Sequence, residues 1–185
     1  MEIVDGNAPR VSIGSYAYSR HDQVHALSTN NLDFVVDPVI PISDEINSMK
    51  VFEDSFVVAH RDNHELSKKS NVSIEDILNQ RHLNVSNRKR GLHLIDIELE
   101  KIGYKREIAL RCQHFLIAPE IIRSTDVVLF ATKSFAEKND LKYIEIPAEI
   151  PMMEYFLIWH KNDEGDGGHI WMKNLLVEAF KKAKK

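Results

Sequence analysis

Cysteine and glycine are both scarce in this chain. Its 185 residues include one cysteine, Cys112, and 7 glycines. A single cysteine excludes an internal disulfide framework and fits a reducing compartment. So few glycines exclude collagen-like and low-complexity proteins, and no glycine-rich phosphate loop or nucleophile-elbow motif occurs.

Long apolar runs and an excess of positive charge are also missing. No run approaches the roughly 18 apolar residues of a membrane helix. The first ten residues carry Glu2 and Asp5 and lack an apolar core, which predicts no signal peptide and a cytoplasmic protein without membrane association. The 24 basic and 28 acidic residues give a net charge of −4, so this chain lacks the basic footprint of a nucleic-acid-binding domain.

What the chain does contain is an alternation of strand-like and helix-like segments. Hydrophobic residues make up 43% of it and charged residues 28%, which is typical of a globular protein. Short runs rich in Val, Ile, Phe and Tyr predict strands. These runs lie at residues 11–16, 32–37, 55–60, 82–86, 107–112, 126–131, 141–146 and 154–160.

Helical patterns separate many of these runs. Ser73 and Asp76 resemble a capping box, and a helical stripe over residues 92–102 stops at Gly103. Ser134 and Glu137 form a second capping box, and an amphipathic pattern covers residues 170–183. The alternation predicts an α/β fold with mostly parallel sheets. Proline-marked stretches at 37–43 and 147–151 could be the ends of a middle segment inserted into an outer one.

Two residue pairs resemble catalytic or metal-binding motifs. His21 and His25 have the spacing of zinc ligands on a helix, but Asp22 stands where a zinc protease needs Glu and no third ligand follows. We interpret them as surface histidines. Cys112 and His114 would share a strand face, and we interpret them as a partly buried cysteine near a loop histidine rather than a nucleophile–base pair. The sequence therefore predicts no metal, no cofactor and no enzyme.

A basic stretch at residues 86–91 lies between a predicted strand and a predicted helix. Free N–H groups at a helix start attract anions, and Arg88, Lys89 and Arg90 add positive charge. An anion-binding loop and a solvated turn both fit this pattern.

The order of the segments carries a family resemblance. The stretches that carry it are APRVSI at 8–13, AL at 26–27, LDFVVD at 32–37, FVVAHRDNH at 56–64, VSIEDIL at 72–78, GYKREI at 103–108, FLIAP at 115–119, TDVV at 125–128 and LIWHK at 157–161 with Asp166 and HIWM at 169–172. In this order the chain resembles the effector-binding domain of a LysR-type transcriptional regulator, and its ending resembles the subgroup of nodulation and aromatic-catabolism regulators.

The resemblance implies two Rossmann-like lobes with a ligand cleft between them, as in type 2 periplasmic binding proteins. Lobe one would comprise residues 1–61 and 151–185, and lobe two residues 62–150, with the proline-marked crossings as the hinge. The family's winged helix-turn-helix, its opening strand and most of its first helix have no counterpart here, so the resemblance implies an N-terminally truncated domain.

The resemblance also implies where a small effector, aromatic or carboxylate in character, would bind. The positions follow predicted strands, where open α/β sheets bind ligands. They are Tyr18, Ser19, Asp37, Asn87, Arg88, Gln113, His114, Phe115, Ala131 and Thr132. Tyr18 and Phe115 would give apolar contact, and Arg88 or His114 could pair with a carboxylate.

The implied function is a ligand-sensing regulatory domain that mediates oligomerisation as a homodimer or homotetramer. DNA would be bound only through a winged helix-turn-helix outside this chain. A solute-binding protein with the same two-lobe fold is the alternative.

Overall fold

The computed structural model describes residues 8, 10–86 and 93–183. They divide into two compact units. Unit 1 contains the described residues of 1–53 and 154–185, and unit 2 contains those of 54–153.

The helices are α1 (Gln23–Ser28), α2 (Ile74–Leu78), α3 (Leu94–Lys101), α4 (Ala118–Ser124), α5 (Lys133–Lys138) and α6 (Gly167–Ala183). The strands are β1 (Val35–Asp37), β2 (Ile46–Asp54), β3 (Phe56–His60), β4 (His82–Val85), β5 (Ile108–Cys112), β6 (Val128–Thr132), β7 (Lys142–Glu145) and β8 (Met153–His160). Short 3-10 helices cover Glu65–Lys68, Phe115–Ile117 and Lys161–Gly165.

Unit 1 is built on a three-stranded sheet in the order β1-β8-β2. Strands β1 and β8 are antiparallel, with Val36 opposite Leu157. Leu27 from α1 packs in a small core with Val35, Ile46 and Ile158. Because β8 lies between β1 and β2 in this order, it forms the centre of the sheet.

Unit 2 is built on a five-stranded sheet in the order β5-β4-β6-β3-β7. Every residue of β3 is buried, as expected for an apolar strand covered on both faces. Val57 belongs to one core cluster and Val58 to the other, so the two faces of β3 pack in separate cores. The α/β class is therefore confirmed.

The predicted preference for parallel pairing is wrong. Strand β4 is parallel to β5 and β6, but β3 is antiparallel to both β6 and β7. In unit 1, β1 and β8 are antiparallel as well. An apolar run that is buried on both faces has the same composition in either direction, so the sequence does not reveal the direction of β3.

The strand predicted at residues 11–16 is also wrong. In the described part of the chain this segment forms no strand, and Val11, Ile13 and Tyr16 are exposed. Among the described residues, no strand lies beside this segment for it to pair with. In contrast, the nine-residue strand β2 was not predicted, because Lys50, Glu53 and Asp54 interrupt its apolar residues.

The helix-start predictions differ in outcome. The capping box of α2 is confirmed, because Ser73 Oγ accepts from the N–H of Asp76 and Asp76 Oδ2 accepts from the N–H of Ser73. The box predicted at Ser134 is wrong, because α5 starts one residue earlier, at Lys133. The N–H and Oγ of Ser134 both donate to Asp54, so the cap comes from the end of β2.

The division between the units falls elsewhere than expected. It lies between residues 53 and 54 and between 153 and 154, rather than after residues 61 and 150. The reason is that β3 is hydrogen-bonded between β6 and β7, which makes residues 56–60 part of the unit 2 sheet. None of the helices described by the structure is long and apolar enough to cross a membrane.

Candidate functional site

Asp37 is the best-connected of the predicted site residues in unit 1. It ends β1, and its Oδ1 accepts from Arg20 Nε at 2.8 Å and from the N–H of Val39 at 2.9 Å. Its Oδ2 accepts from Gln23 Nε2 at 3.1 Å. With three donors already in place, this carboxylate holds the segment before α1 against the end of β1.

Arg20 and Gln23 were not predicted as site residues. Gln23 is only 4% exposed, and its Oε1 is enclosed without a hydrogen-bond partner among the described residues. Turning the amide over would set Oε1 against the Asp37 carboxylate, so Asp37 fixes the orientation of this side chain. The contacts join residues 14 and 17 positions apart through a loop, and no local pattern in the sequence signals them.

Tyr18 and Ser19 lie just before α1 and do not follow a strand. Tyr18 is 36% exposed, so its ring is available for contact from solvent. Ser19 Oγ donates to Asp22 Oδ2 at 2.6 Å, and the N–H of Asp22 donates to the carbonyl of Ser19 at 3.0 Å. These bonds form a turn that leads into the helix. Ser19 precedes Arg20 in the chain, and Asp37 is joined to Arg20 by an ion pair. Both predicted residues therefore adjoin Arg20.

In unit 2, residues 113–115 follow the end of β5 as predicted. Gln113 and His114 are exposed, and Phe115 is 47% exposed with its ring edge-on to Phe135 at 5.6 Å between centroids. Cys112 Sγ lies 3.8 Å from the carbonyl oxygen of His114. Burial raises the pKa of the Cys112 thiol, which opposes thiolate formation.

Ala131 and Thr132 end the central strand β6. Ala131 is 4% exposed, lies opposite Val57 and belongs to a core cluster, so its side chain is occupied by packing. Thr132 is half-buried, lies opposite Phe56 and is the N-cap residue of α5, with no hydrogen bond from its side chain to that helix. Of these two, Thr132 retains a polar group at the strand end.

The predicted residues Asn87 and Arg88 lie outside the described residues. The segments that flank them are fixed on β4 and β5. His93 Nε2 contacts the carbonyl oxygen of Val85 at 2.9 Å, and the N–H of Ser86 donates to the carbonyl of Cys112 at 2.9 Å. The structure therefore places three predicted residues in unit 1 and five in unit 2.

Metal-binding chemistry finds no support in the described ranges. His21 lies before α1 rather than on it, and both His21 and His25 are exposed. Among residues 8, 10–86 and 93–183, no three His, Cys, Asp or Glu side chains are arranged to hold a metal ion. The predicted site residues offer exposed aromatic rings and hydrogen-bonding side chains at strand and helix ends, which suits non-covalent binding.

Comparison with known proteins identifies the family. The family model described as the LysR substrate binding domain matches residues 5–181. The chain belongs to this family. Its membership favours a regulator over the solute-binding alternative, and the fold is the two-lobe fold of LysR effector-binding domains.

Individual relatives agree with this assignment. The HTH-type transcriptional activator NagR of a Ralstonia species is 25% identical over 99% of this chain and 62% of its own length. A probable transcriptional regulator of Pseudomonas aeruginosa has a crystal structure that is 26% identical, with a TM-score of 0.81 over 95% of this chain and 61% of that chain. The effector-binding domain of QuiR in complex with shikimate has 16% identity and a TM-score of 0.77 over 98% of this chain and 88% of that chain, which shows the fold alone. The chain thus spans about three fifths of the length of NagR.

Proposed function

We propose that this LysR substrate-binding domain senses a small carboxylate or aromatic effector for a bacterial transcriptional regulator. The observation that carries the proposal is the loop after β5, where Phe115 is partly exposed beside the polar side chains of Gln113 and His114. Tyr18 and Ser19 supply a similar aromatic and polar pair in unit 1. QuiR, which shares the fold, binds shikimate, a carboxylate.

Three of the predicted residues in unit 2 have a defined role in this proposal. Phe115 is held edge-on by Phe135, so its free surface contacts the apolar body of the effector at little cost in side-chain entropy. His114 donates to the carboxylate. Arg20 is less suited to that role, because its charge is already paired with Asp37. Thr132 adds a hydroxyl group at the end of β6.

Ligand titration tests the proposal. Benzoate, cyclohexanecarboxylate and benzyl alcohol separate the contribution of the ring from that of the carboxylate. We expect Phe115→Ala to weaken benzoate binding about tenfold, which is the loss of one aromatic contact, and His114→Ala to weaken the two carboxylates but not the alcohol.

Neighbouring tyrosines give a matched control for unit 1. Tyr18→Ala should weaken binding, whereas Tyr16→Ala, which removes an even more exposed ring two residues away, should not. If Phe115→Ala, His114→Ala and Tyr18→Ala all bind the three probes as tightly as the parent chain does, the proposed site is contradicted.

The remaining features of the regulator are proposals of the same kind. The chain's relatives are transcriptional regulators and not enzymes, and we propose that this chain has no catalytic activity and acts in the cytoplasm. DNA binding would reside in a winged helix-turn-helix outside the chain, because a net charge of −4 gives little attraction to phosphates. A gel-shift assay at physiological salt should show no sequence-specific complex with this chain alone.

Oligomerisation, as a homodimer or homotetramer, is proposed from an exposed apolar segment. Leu116 is 97% exposed and its neighbour Ile117 about half exposed, and adjoining apolar surface of this kind marks interaction sites. Leu116→Glu should shift the protein to monomer in sedimentation equilibrium. Ile42→Glu, at a fully exposed apolar residue of unit 1, is the control and should not.

A further inference from the structure

Unit 2 contains a pocket beside the edge of its own sheet. The pocket has a volume of about 810 Å³ and is lined by His60, by residues of the segment 62–72 and by all four residues of β7. Strand β7 is the last strand in the order of this sheet and pairs with β3 alone among the described strands. In the described part of the chain, none of the residues predicted to bind the effector lines this pocket.

One wall of the pocket is apolar and belongs to a core cluster. The register sets His60 opposite Lys142, and Ile144 lies two residues further along β7, so all three lie on the same face of the sheet. Leu66 is fully buried in the core cluster of this face, and Val72 and Ile144 pack against the same cluster. The wall formed by Leu66, Val72 and Ile144 is therefore held in place by the core.

His60 gives the pocket a hydrogen-bond acceptor. Its side chain is 2% exposed, and its Nδ1 lies 2.8 Å from the carbonyl oxygen of Arg61. Because a carbonyl oxygen only accepts, Nδ1 carries the proton and Nε2 keeps a lone pair. Among the described residues, no hydrogen bond reaches Nε2. Burial lowers the pKa of His60, which keeps the ring unprotonated and Nε2 an acceptor at neutral pH.

The neighbouring histidine has no such free nitrogen. The rings of His64 and His60 are 5.5 Å apart between centroids. Nδ1 of His64 accepts from the N–H of Leu66 at 3.2 Å, and its Nε2 donates to the carbonyl of Asp126 at 3.2 Å. Both nitrogens of His64 are occupied by the backbone, so the free acceptor belongs to His60.

The charges around the pocket favour a neutral ligand. Lys69 and Glu145 are each held in an ion pair with a residue outside the lining. Asp62 and Lys142, which also line the pocket, carry opposite charges. An unprotonated imidazole cannot donate to a carboxylate, whereas it accepts readily from a hydroxyl group.

We propose that this pocket is a second ligand site, which binds a neutral alcohol with an apolar ring. The hydroxyl group donates to His60 Nε2, and the ring packs against Leu66, Val72 and Ile144. The site differs in chemistry from the candidate effector site, where His114 donates to a carboxylate.

Nuclear magnetic resonance titrations of the whole chain with cyclohexanol and cyclohexanone test this proposal. The two probes share a ring size, but the ketone has no hydroxyl donor. We expect cyclohexanol to shift the amides of 60–72 and 142–145 with saturation and to bind about tenfold more tightly than cyclohexanone, since the ketone leaves a buried acceptor unpaired. Cyclohexanecarboxylate should leave these amides unshifted.

Three variants separate the hydrogen bond from the apolar contact. His60→Phe keeps a ring but removes the acceptor, so cyclohexanol should bind only as weakly as the ketone. Val72→Ala should weaken both probes about threefold through lost apolar contact, and it keeps the test decisive if His60→Phe folds poorly. His114→Ala is the control and should change the affinity for neither probe.

Three results would overturn the proposal. The first is equal affinity of the parent chain for cyclohexanol and cyclohexanone. The second is a tenfold preference for the alcohol that persists in a folded His60→Phe variant. The third is the absence of saturable shifts in the amides of 60–72 and 142–145.

Discussion

Arg106 and Asp96 form a buried ion pair beneath the start of α3. The Arg106 side chain is 2% exposed and donates from Nε to Asp96 Oδ1 at 2.6 Å. The other carboxylate oxygen of Asp96 accepts from the N–H of His93 at 3.0 Å. Asp96 therefore balances a buried charge and fixes the first turn of α3 at the same time.

Replacing this carboxylate should destabilise the protein strongly. Asp96→Asn leaves the Arg106 charge buried without a counter-ion, and we expect a loss of about 3 kcal/mol in the free energy of unfolding, measured in urea. Glu98→Gln removes an exposed pair with Lys101 in the same helix and is the control, with an expected loss below about 0.5 kcal/mol. Similar losses of stability in Asp96→Asn and Glu98→Gln would show that burial does not determine the cost of breaking the Arg106–Asp96 pair.

His82 makes stability depend on pH. Burial, aided by the charge of Arg106, lowers the pKa of His82 from 6.5 to about 4. Between these two pH values, His82 stays unprotonated in the folded protein but binds a proton in the unfolded chain. The free energy of unfolding therefore decreases as pH falls from 6.5 towards 4. Between pH 7.5 and 4.5 this group alone should remove about 2 kcal/mol from the free energy of unfolding.

The substitution His82→Gln should flatten this pH dependence in urea unfolding at the two pH values. It should not abolish it, because burial also lowers the pKa of His60 and acts in the same direction. His21→Gln, at an exposed position, should leave the slope as in the parent chain. If His82→Gln keeps the full slope, the pH dependence has another source.

Patterns that act within a few residues predicted much of this fold. The apolar runs that became β3 and β6 and the capping box at Ser73 depend on neighbours in sequence. Residues 11–16 also contain apolar residues typical of a strand, but no strand neighbours them among the described residues. In contrast, β2 contains charged residues but forms a strand because it pairs with β8. Strand direction and the unit boundary likewise depend on long-range pairing.

The same distinction between local patterns and long-range contacts applies to the candidate site. Gln113, His114 and Phe115 were predicted from the family resemblance, which placed them in the loop after a predicted strand, and β5 does end at Cys112. Arg20 and Gln23 were missed because their contact with Asp37 exists only once the loop before α1 is folded. Conversely, the resemblance implied Ala131 as a site residue at a strand end, although its burial follows from the pairing of β6 with β3.

Gly103 ends α3 in a left-handed conformation. Its φ is 84°, its N–H donates to the carbonyl of Glu100, and the N–H of Tyr104 donates to that of Leu99. This is the Schellman arrangement, which favours glycine. Gly103→Ala should lower the free energy of unfolding by about 1 kcal/mol through backbone strain alone, because no atom lies within 4 Å of an added Cβ. Gly165→Ala, also without close neighbours, should be nearly neutral in the same urea titration.

Asp37 should act on the candidate site through structure rather than by direct ligand contact. Its oxygens are occupied by Arg20, Gln23 and the N–H of Val39, so Asp37→Ala leaves three donors without their acceptor. We expect a loss of about 3 kcal/mol in the free energy of unfolding and faster hydrogen exchange over residues 19–24. Arg20→Met should cost less, because the carboxylate keeps its two other donors.

If Asp37 instead contacts the effector, Asp37→Asn would weaken benzoate binding while hydrogen exchange over residues 19–24 stayed at the rate of the parent chain. Our account requires the two effects to appear together, since ligand affinity then falls only because Tyr18 and Ser19 lose their support.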